Sequence, residues 1–128
     1  MKRSTSRFAI ALPLVIGLGL GTGAAIAQTK VSNGMLTGPN GMTLYTFDKD
    51  AAGSGASACT GACEKNWPPL MANASDKPSS ADYSMVTRDG GKKQWAYKGK
   101  PLYFWAKDQK AGDMTGDGVN KVWHVAKP

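Results

Sequence analysis

Two cysteines, one histidine and a loop rich in aspartate are the side chains of this 128-residue sequence that could do chemistry. Cys59 and Cys63 are separated by three residues. Thiols so placed could exchange electrons, hold a soft metal or close as a staple. A redox dithiol is normally Cys-x-x-Cys at a helix N-terminus beside a βαβ pattern, where the helix dipole stabilises the thiolate. Here the spacing is one residue longer and no helical pattern follows. We carry forward a structural disulfide between Cys59 and Cys63, with thiol redox chemistry as the alternative.

Asp113-Met114-Thr115-Gly116-Asp117-Gly118 matches the opening of a calcium loop, with oxygen ligands at alternate positions and glycine at the sharp turn. Asp113, Thr115 and Asp117 are therefore candidate metal ligands, with Asp108 upstream. The bidentate carboxylate that should close such a loop is missing, because the ninth position is Lys121 and the twelfth is His124. Clusters of Asp-Gly and Thr-Gly also serve any tight loop. Met35, Met42, Met71, Met85 and Met114, with the single His124, offer soft donors suited to copper(I). They are scattered singly, and methionine is a common core filler. The expectation is a protein without a cofactor, with copper or calcium binding as the alternative. The sequence carries no Gly-rich phosphate loop, no Gly-x-Ser-x-Gly, no zinc His-Glu motif and no haem Cys-x-x-Cys-His. No catalytic residue is assigned, and a non-enzyme is expected.

These residues hang on a stretch that occurs twice. Gly41-Met42-Thr43-Leu44-Tyr45-Thr46-Phe47-Asp48-Lys49-Asp50 matches Gly99-Lys100-Pro101-Leu102-Tyr103-Phe104-Trp105-Ala106-Lys107-Asp108 without a gap, at an offset of 58 residues. Trp67 follows the first copy and Trp123 the second. Repetition at a fixed offset indicates two structural units that cannot bury their apolar faces alone. Alternation along a strand puts Tyr45 and Phe47 on one face and Leu44 and Thr46 on the other. The two copies should therefore share one core containing Tyr45, Phe47, Trp67, Tyr103, Trp105 and Trp123. Asp50 and Asp108, repeated at one position, could flank a shared acid/base site. The architectural reading is preferred: each aspartate ends a strand and caps the following loop by accepting backbone N–H bonds.

Around these copies the chain reads as short strands. Gln28 to Thr37 is an opening strand, Gly38-Pro39-Asn40-Gly41 a turn and Met42 to Phe47 the return strand. Asp48 to Glu64 is a loop with no period for a strand or a packing helix. The prolines of Trp67-Pro68-Pro69-Leu70 permit only an edge strand or an extended arm anchored by Trp67. Tyr83 to Arg88 and Lys93 to Tyr97 form a hairpin across Asp89-Gly90-Gly91, and Lys121 to Ala126 closes the sheet. With about seven strands and no amphipathic helix, the fold class is all-β: a small antiparallel domain of two repeats, about 30–72 and 83–126, with pseudo-twofold symmetry and long loops.

Residues 1–27 carry Lys2, Arg3 and Arg7, an apolar run from Phe8 to Leu20 and the small-residue ending Ala25-Ile26-Ala27. This is the pattern of a cleaved secretory signal peptide, leaving residues 28–128 as a single domain without a stable membrane anchor. Of the 16 basic residues, these three leave with the leader, so the mature chain holds 13 against 9 acidic ones, a net +4. That is an ordinary solubility charge and argues against nucleic acid as a partner.

The motif Tyr-x-(Phe/Trp/Tyr)-x-x-Asp, here Tyr45 to Asp50 and Tyr103 to Asp108, resembles that of a bacterial family of secreted repeat proteins and predicted lipoproteins. Cys59-Thr60-Gly61-Ala62-Cys63, Trp67-Pro68-Pro69-Leu70 and Gly116-Asp117-Gly118-Val119-Asn120 with Val122-Trp123 also look like pieces of that family. No cysteine stands near the cleavage site to accept lipid, which implies a soluble member, periplasmic or extracellular. The family has no established function. The reading is an exported cell-envelope module that binds or builds, with an envelope component as its partner.

Overall fold

The computed structural model describes residues 29–128, so the signal-peptide reading lies outside the described residues. Eight short strands and one short α-helix follow in order, with 3-10 turns at Asp89–Gly91 and Val119–Lys121. They are β1 (Lys30–Ser32), β2 (Met35–Thr37), β3 (Tyr45–Phe47), α1 (Ala62–Asn66), β4 (Met71–Ala72), β5 (Tyr83–Thr87), β6 (Lys93–Tyr97), β7 (Lys100–Pro101) and β8 (Trp123–Val125). The pairings are antiparallel: β1 with β2, β3 with β8, and β6 with β4, β5 and β7.

Two expectations are corrected. The single opening strand is a hairpin, because Asn33 and Gly34 take φ of 52° and 76° and reverse the chain within it. Positive φ at both central residues is what a type I′ hairpin turn requires, and Asn-Gly supplies it at low cost. The second correction is α1, a five-residue helix that begins within the expected loop Asp48 to Glu64 and runs on to Asn66. It is held at its end by the Trp67 N–H on the Cys63 carbonyl, at 2.8 Å.

The repeats are joined by exchange. In one ring of backbone bonds, Leu36 N–H donates to the Ala126 carbonyl, Ala126 N–H to Leu44, and Leu44 N–H to Leu36, at 2.9, 2.8 and 3.0 Å. A second ring repeats it: Trp95 to Leu70, Leu70 to Leu102 and Leu102 to Trp95, at 2.8, 3.0 and 3.0 Å. Each ring takes two segments from one repeat and the closing segment of the other. Strand β8 of the second repeat thus completes the first, and the arm around Pro69 and Leu70 completes the second, with Pro69 bridged to Tyr103.

Two apolar clusters lie on opposite faces of the central segments. Leu36, Leu44, Leu70, Trp95, Leu102 and Ala126 form the first, and Tyr45, Cys59, Trp67, Tyr103 and Trp123 the second. Consecutive residues serve different clusters, Leu44 then Tyr45 and Leu102 then Tyr103, as strand alternation demands. The six aromatics assigned to one core all belong to the second cluster, with Phe47 and Trp105 only half-buried. Trp95, 2 % exposed, dominates the first cluster and was absent from that assignment.

Candidate functional site: a crossed tyrosine pair and an aromatic column

At the centre, Tyr45 and Tyr103 exchange both backbone bonds, with N to O distances of 2.8 and 3.0 Å. Their phenols then cross over. Tyr45 Oη donates to Asp108 Oδ2 at 2.6 Å, and Tyr103 Oη donates to Asp50 Oδ2 at 2.5 Å. The tyrosine of each copy therefore serves the aspartate of the other. Each aspartate is placed by a tight turn, in which its N–H bonds the carbonyl of the motif aromatic three residues earlier, Phe47 or Trp105, at 3.0 Å in both copies.

The second carboxylate oxygen organises the loop that follows. Asp50 Oδ1 accepts the Ala58 N–H at 2.6 Å, and Asp108 Oδ1 accepts the N–H and hydroxyl of Thr115 at 3.0 and 2.6 Å. The loops also reach the phenols: Gly116 N–H donates to Tyr45 Oη at 3.2 Å, and Ser57 Oγ lies 2.5 Å from Tyr103 Oη. Burial raises the ionisation of both phenols well above the ordinary value, and the adjoining carboxylates raise it further.

Beside the pair runs a column of four rings in the order Phe47, Trp123, Trp67, Trp105. Successive centroids are 4.2, 3.7 and 4.0 Å apart, with interplanar angles of 10°, 4° and 27°. The two repeats contribute alternate rings. Tyr45 stands edge-on to Trp67 at 5.4 Å, and Tyr103 edge-on to Trp123 at 5.1 Å. Offset or edge-to-face contacts of this kind add to burial energy. Gly116 lies against the column, and a Cβ there would come within 2.9 Å of Trp67 and 3.0 Å of Trp105. Lys107 Nζ sits 5.7 Å from the Trp105 ring centroid, a cation–π contact at that end. The Phe47 end opens on a cleft of about 390 Å³ lined by Phe47, Trp67, Trp123, Lys49, Asn66 and Asn120.

Cys59 and Cys63 are joined, with 2.07 Å between sulfurs. Cys59 is buried, and its carbonyl accepts Arg88 Nη2 at 2.7 Å. Arg88 also bonds Gln94 at 2.8 Å and Glu64 at 2.6 Å, which ties the stapled loop and α1 to the β5–β6 sheet. Neither Arg88 nor the fully buried Gln94 stood out in the sequence, since a charged strand end and a polar strand residue ordinarily face water.

The candidate metal ligands do not converge. Asp113 Oδ2 accepts the N–H groups of Gln109 and Lys110, which hold its carboxyl below the usual range. Asp117 Oδ1 accepts the Val125 N–H, and the Thr115 hydroxyl is spent on Asp108. His124 pairs instead with Asp48 at 2.8 Å on the exposed side of β8. Among the described residues, no three His, Cys, Asp or Glu side chains are grouped to hold a metal ion. Met71 and Met114 are exposed while Met35 is buried in another part of the fold.

A family model described as a secreted repeat of unknown function matches residues 29–71 and again 84–127, one span for each copy of the tyrosine motif. The match covers more than half of the chain, and the protein belongs to that family. No curated protein and no solved structure matches it. Among the described residues, no helix is long and apolar enough to cross a membrane.

Proposed function

We propose that this member of the secreted-repeat family is a non-enzymatic binding module of the cell envelope, working in the periplasm or after release, and that its ligand is an envelope glycan. The observation that carries this reading is the cleft at the Phe47 end of the column. Its lining brings three aromatic rings together with two amides, Asn66 and Asn120, and the Lys49 ammonium. Sugars present apolar C–H faces that lie on aromatic rings, while their hydroxyl and N-acetyl groups pair with amides. The volume is in the range of small-ligand sites. Asn120 and Lys121 beside it hold φ of 52° and 63°, and strained backbone of this kind gathers at functional sites.

Asp50 and Asp108 do not line this cleft and bond the phenols and loop N–H groups instead, which supports binding there over acid/base chemistry on a bound sugar. Co-sedimentation with purified peptidoglycan, and tryptophan fluorescence titrated with N-acetylglucosamine oligomers, test the reading. Phe47→Ala and Asn66→Ala should each weaken binding by about tenfold. Asn66→Ala leaves the column intact and isolates the amide. Absence of both sedimentation and a fluorescence change overturns the glycan reading.

A further inference from the structure

The column and the crossed tyrosines have a chemistry that glycan binding does not use. From the geometry we infer that Trp105, Trp67 and Trp123 form a relay that carries an oxidising equivalent from the surface to Tyr45 and Tyr103, with Asp108 and Asp50 as the proton acceptors. The three indoles stack at 3.7 and 4.0 Å, in van der Waals contact, so an electron passes between them without an intervening gap. Trp105 is half-buried and reachable from solvent, whereas Trp67 and Trp123 are buried. Each buried indole touches one tyrosine edge-on.

An indole radical cation oxidises a phenol readily when the phenol can shed its proton in the same step. A proton acceptor must lie within about 2.6–3.2 Å of the donor atom, and both tyrosines have a carboxylate oxygen at 2.5–2.6 Å. Both sites are closed to bulk water, since Tyr45 and Tyr103 are fully buried and Asp50 and Asp108 are less than a tenth exposed.

A one-electron outer-sphere oxidant, such as an oxidised metal complex or a diffusing radical, takes one electron from Trp105 and is itself reduced. The vacancy passes along the indoles by electron transfer in the opposite direction. The indole beside the tyrosine regains its electron from the phenol, and the phenolic proton moves to the paired carboxylate. The products are a neutral indole, a phenoxyl radical and a protonated aspartate. No bond other than O–H is broken, and the O–H formed on the aspartate replaces it. Among the described residues no free thiol competes as a sink. The repeat duplicates the terminus, one phenol and one carboxylate for each copy, around a shared column.

Flash oxidation of the purified protein by a photogenerated ruthenium(III) polypyridyl complex, followed by transient absorption and electron paramagnetic resonance, reads where the radical settles. The sequence holds four tyrosines, and the other two are Tyr83 and Tyr97. The double variant Tyr83→Phe/Tyr97→Phe should keep most of the tyrosyl signal. The double variant Tyr45→Phe/Tyr103→Phe should lose most of it and leave a longer-lived tryptophanyl radical. Loss of the tyrosyl signal in the Tyr83→Phe/Tyr97→Phe protein overturns the relay. That variant decides the question alone if the buried pair cannot be replaced without unfolding. The outcome is independent of glycan binding, since Asn66→Ala should leave the radical yield unchanged.

Discussion

At the scale of residues, the tyrosine hydroxyls carry more than their size suggests. Removing one leaves a buried carboxylate without its donor, and an unpaired buried acceptor costs its full desolvation. Tyr45→Phe and Tyr103→Phe should each lower stability by about 1–3 kcal/mol in urea denaturation. The two values should be similar, because each phenol meets the same kind of partner. A silent substitution at either position would show that the crossed pairs are not equivalent.

The phenols also set a pH limit. Their ionisation is raised in the folded protein by burial and by the carboxylates, whereas an unfolded chain releases these protons near pH 10. The folded state then binds more protons than the unfolded one, so stability is complete below about pH 10 and falls as pH climbs beyond it. The slope is at most about 1.4 kcal/mol per pH unit for each tyrosine. Thermal melts across alkaline pH should show this decline, and it should be shallower in Tyr45→Phe/Tyr103→Phe. The sequence makes Tyr45, Asp50, Tyr103 and Asp108 visible as a repeated set, but it suggests an aspartate serving its own copy. Which copy it serves depends on two chain segments meeting in antiparallel register, and linear spacing does not encode that.

At the scale of elements, the stapled loop differs from its counterpart in how it is held. Residues 109–118 are fastened by Asp108 and Asp113 to local N–H groups, whereas the loop from Ala51 to Glu64 also has a covalent link and Arg88. The ring closed by Cys59 and Cys63 is small, so its loss releases limited chain entropy, about 2 kcal/mol. Cys59→Ser/Cys63→Ser should therefore fold with a lowered denaturation midpoint rather than fail to fold. Failure to fold would show that the bridge is needed to seat α1 and Arg88. The cysteine spacing announces a staple, but a five-residue helix leaves no amphipathic period to read. The hairpin at Asn33-Gly34 was legible in principle, since Asn-Gly is a strong turn signal. Gly38-Pro39-Asn40-Gly41 just downstream carries a denser turn signal and masks it.

At the scale of the whole molecule, each half is completed by the other, through Ala126 in one ring and Leu70 in the other. Fragments 29–78 and 79–128 should each be unstructured alone and should restore the near-ultraviolet signal of the stacked indoles when mixed. A native-like signal from either fragment by itself would contradict the exchange. The repeat and the all-β class could be read from composition, turn residues and the 58-residue offset. The exchange of closing segments could not, because swapped and unswapped pairings bury the same residue types.

That exchange also orders events in time. Leu36 and Leu44 near the start of the domain cannot close their ring until Ala126 has been made. A growing chain of this design holds that ring open even after every member of the other ring, Leu70, Trp95 and Leu102, has been made. The first repeat's ring is therefore the last to close, its own two segments waiting on the final segment of the second repeat.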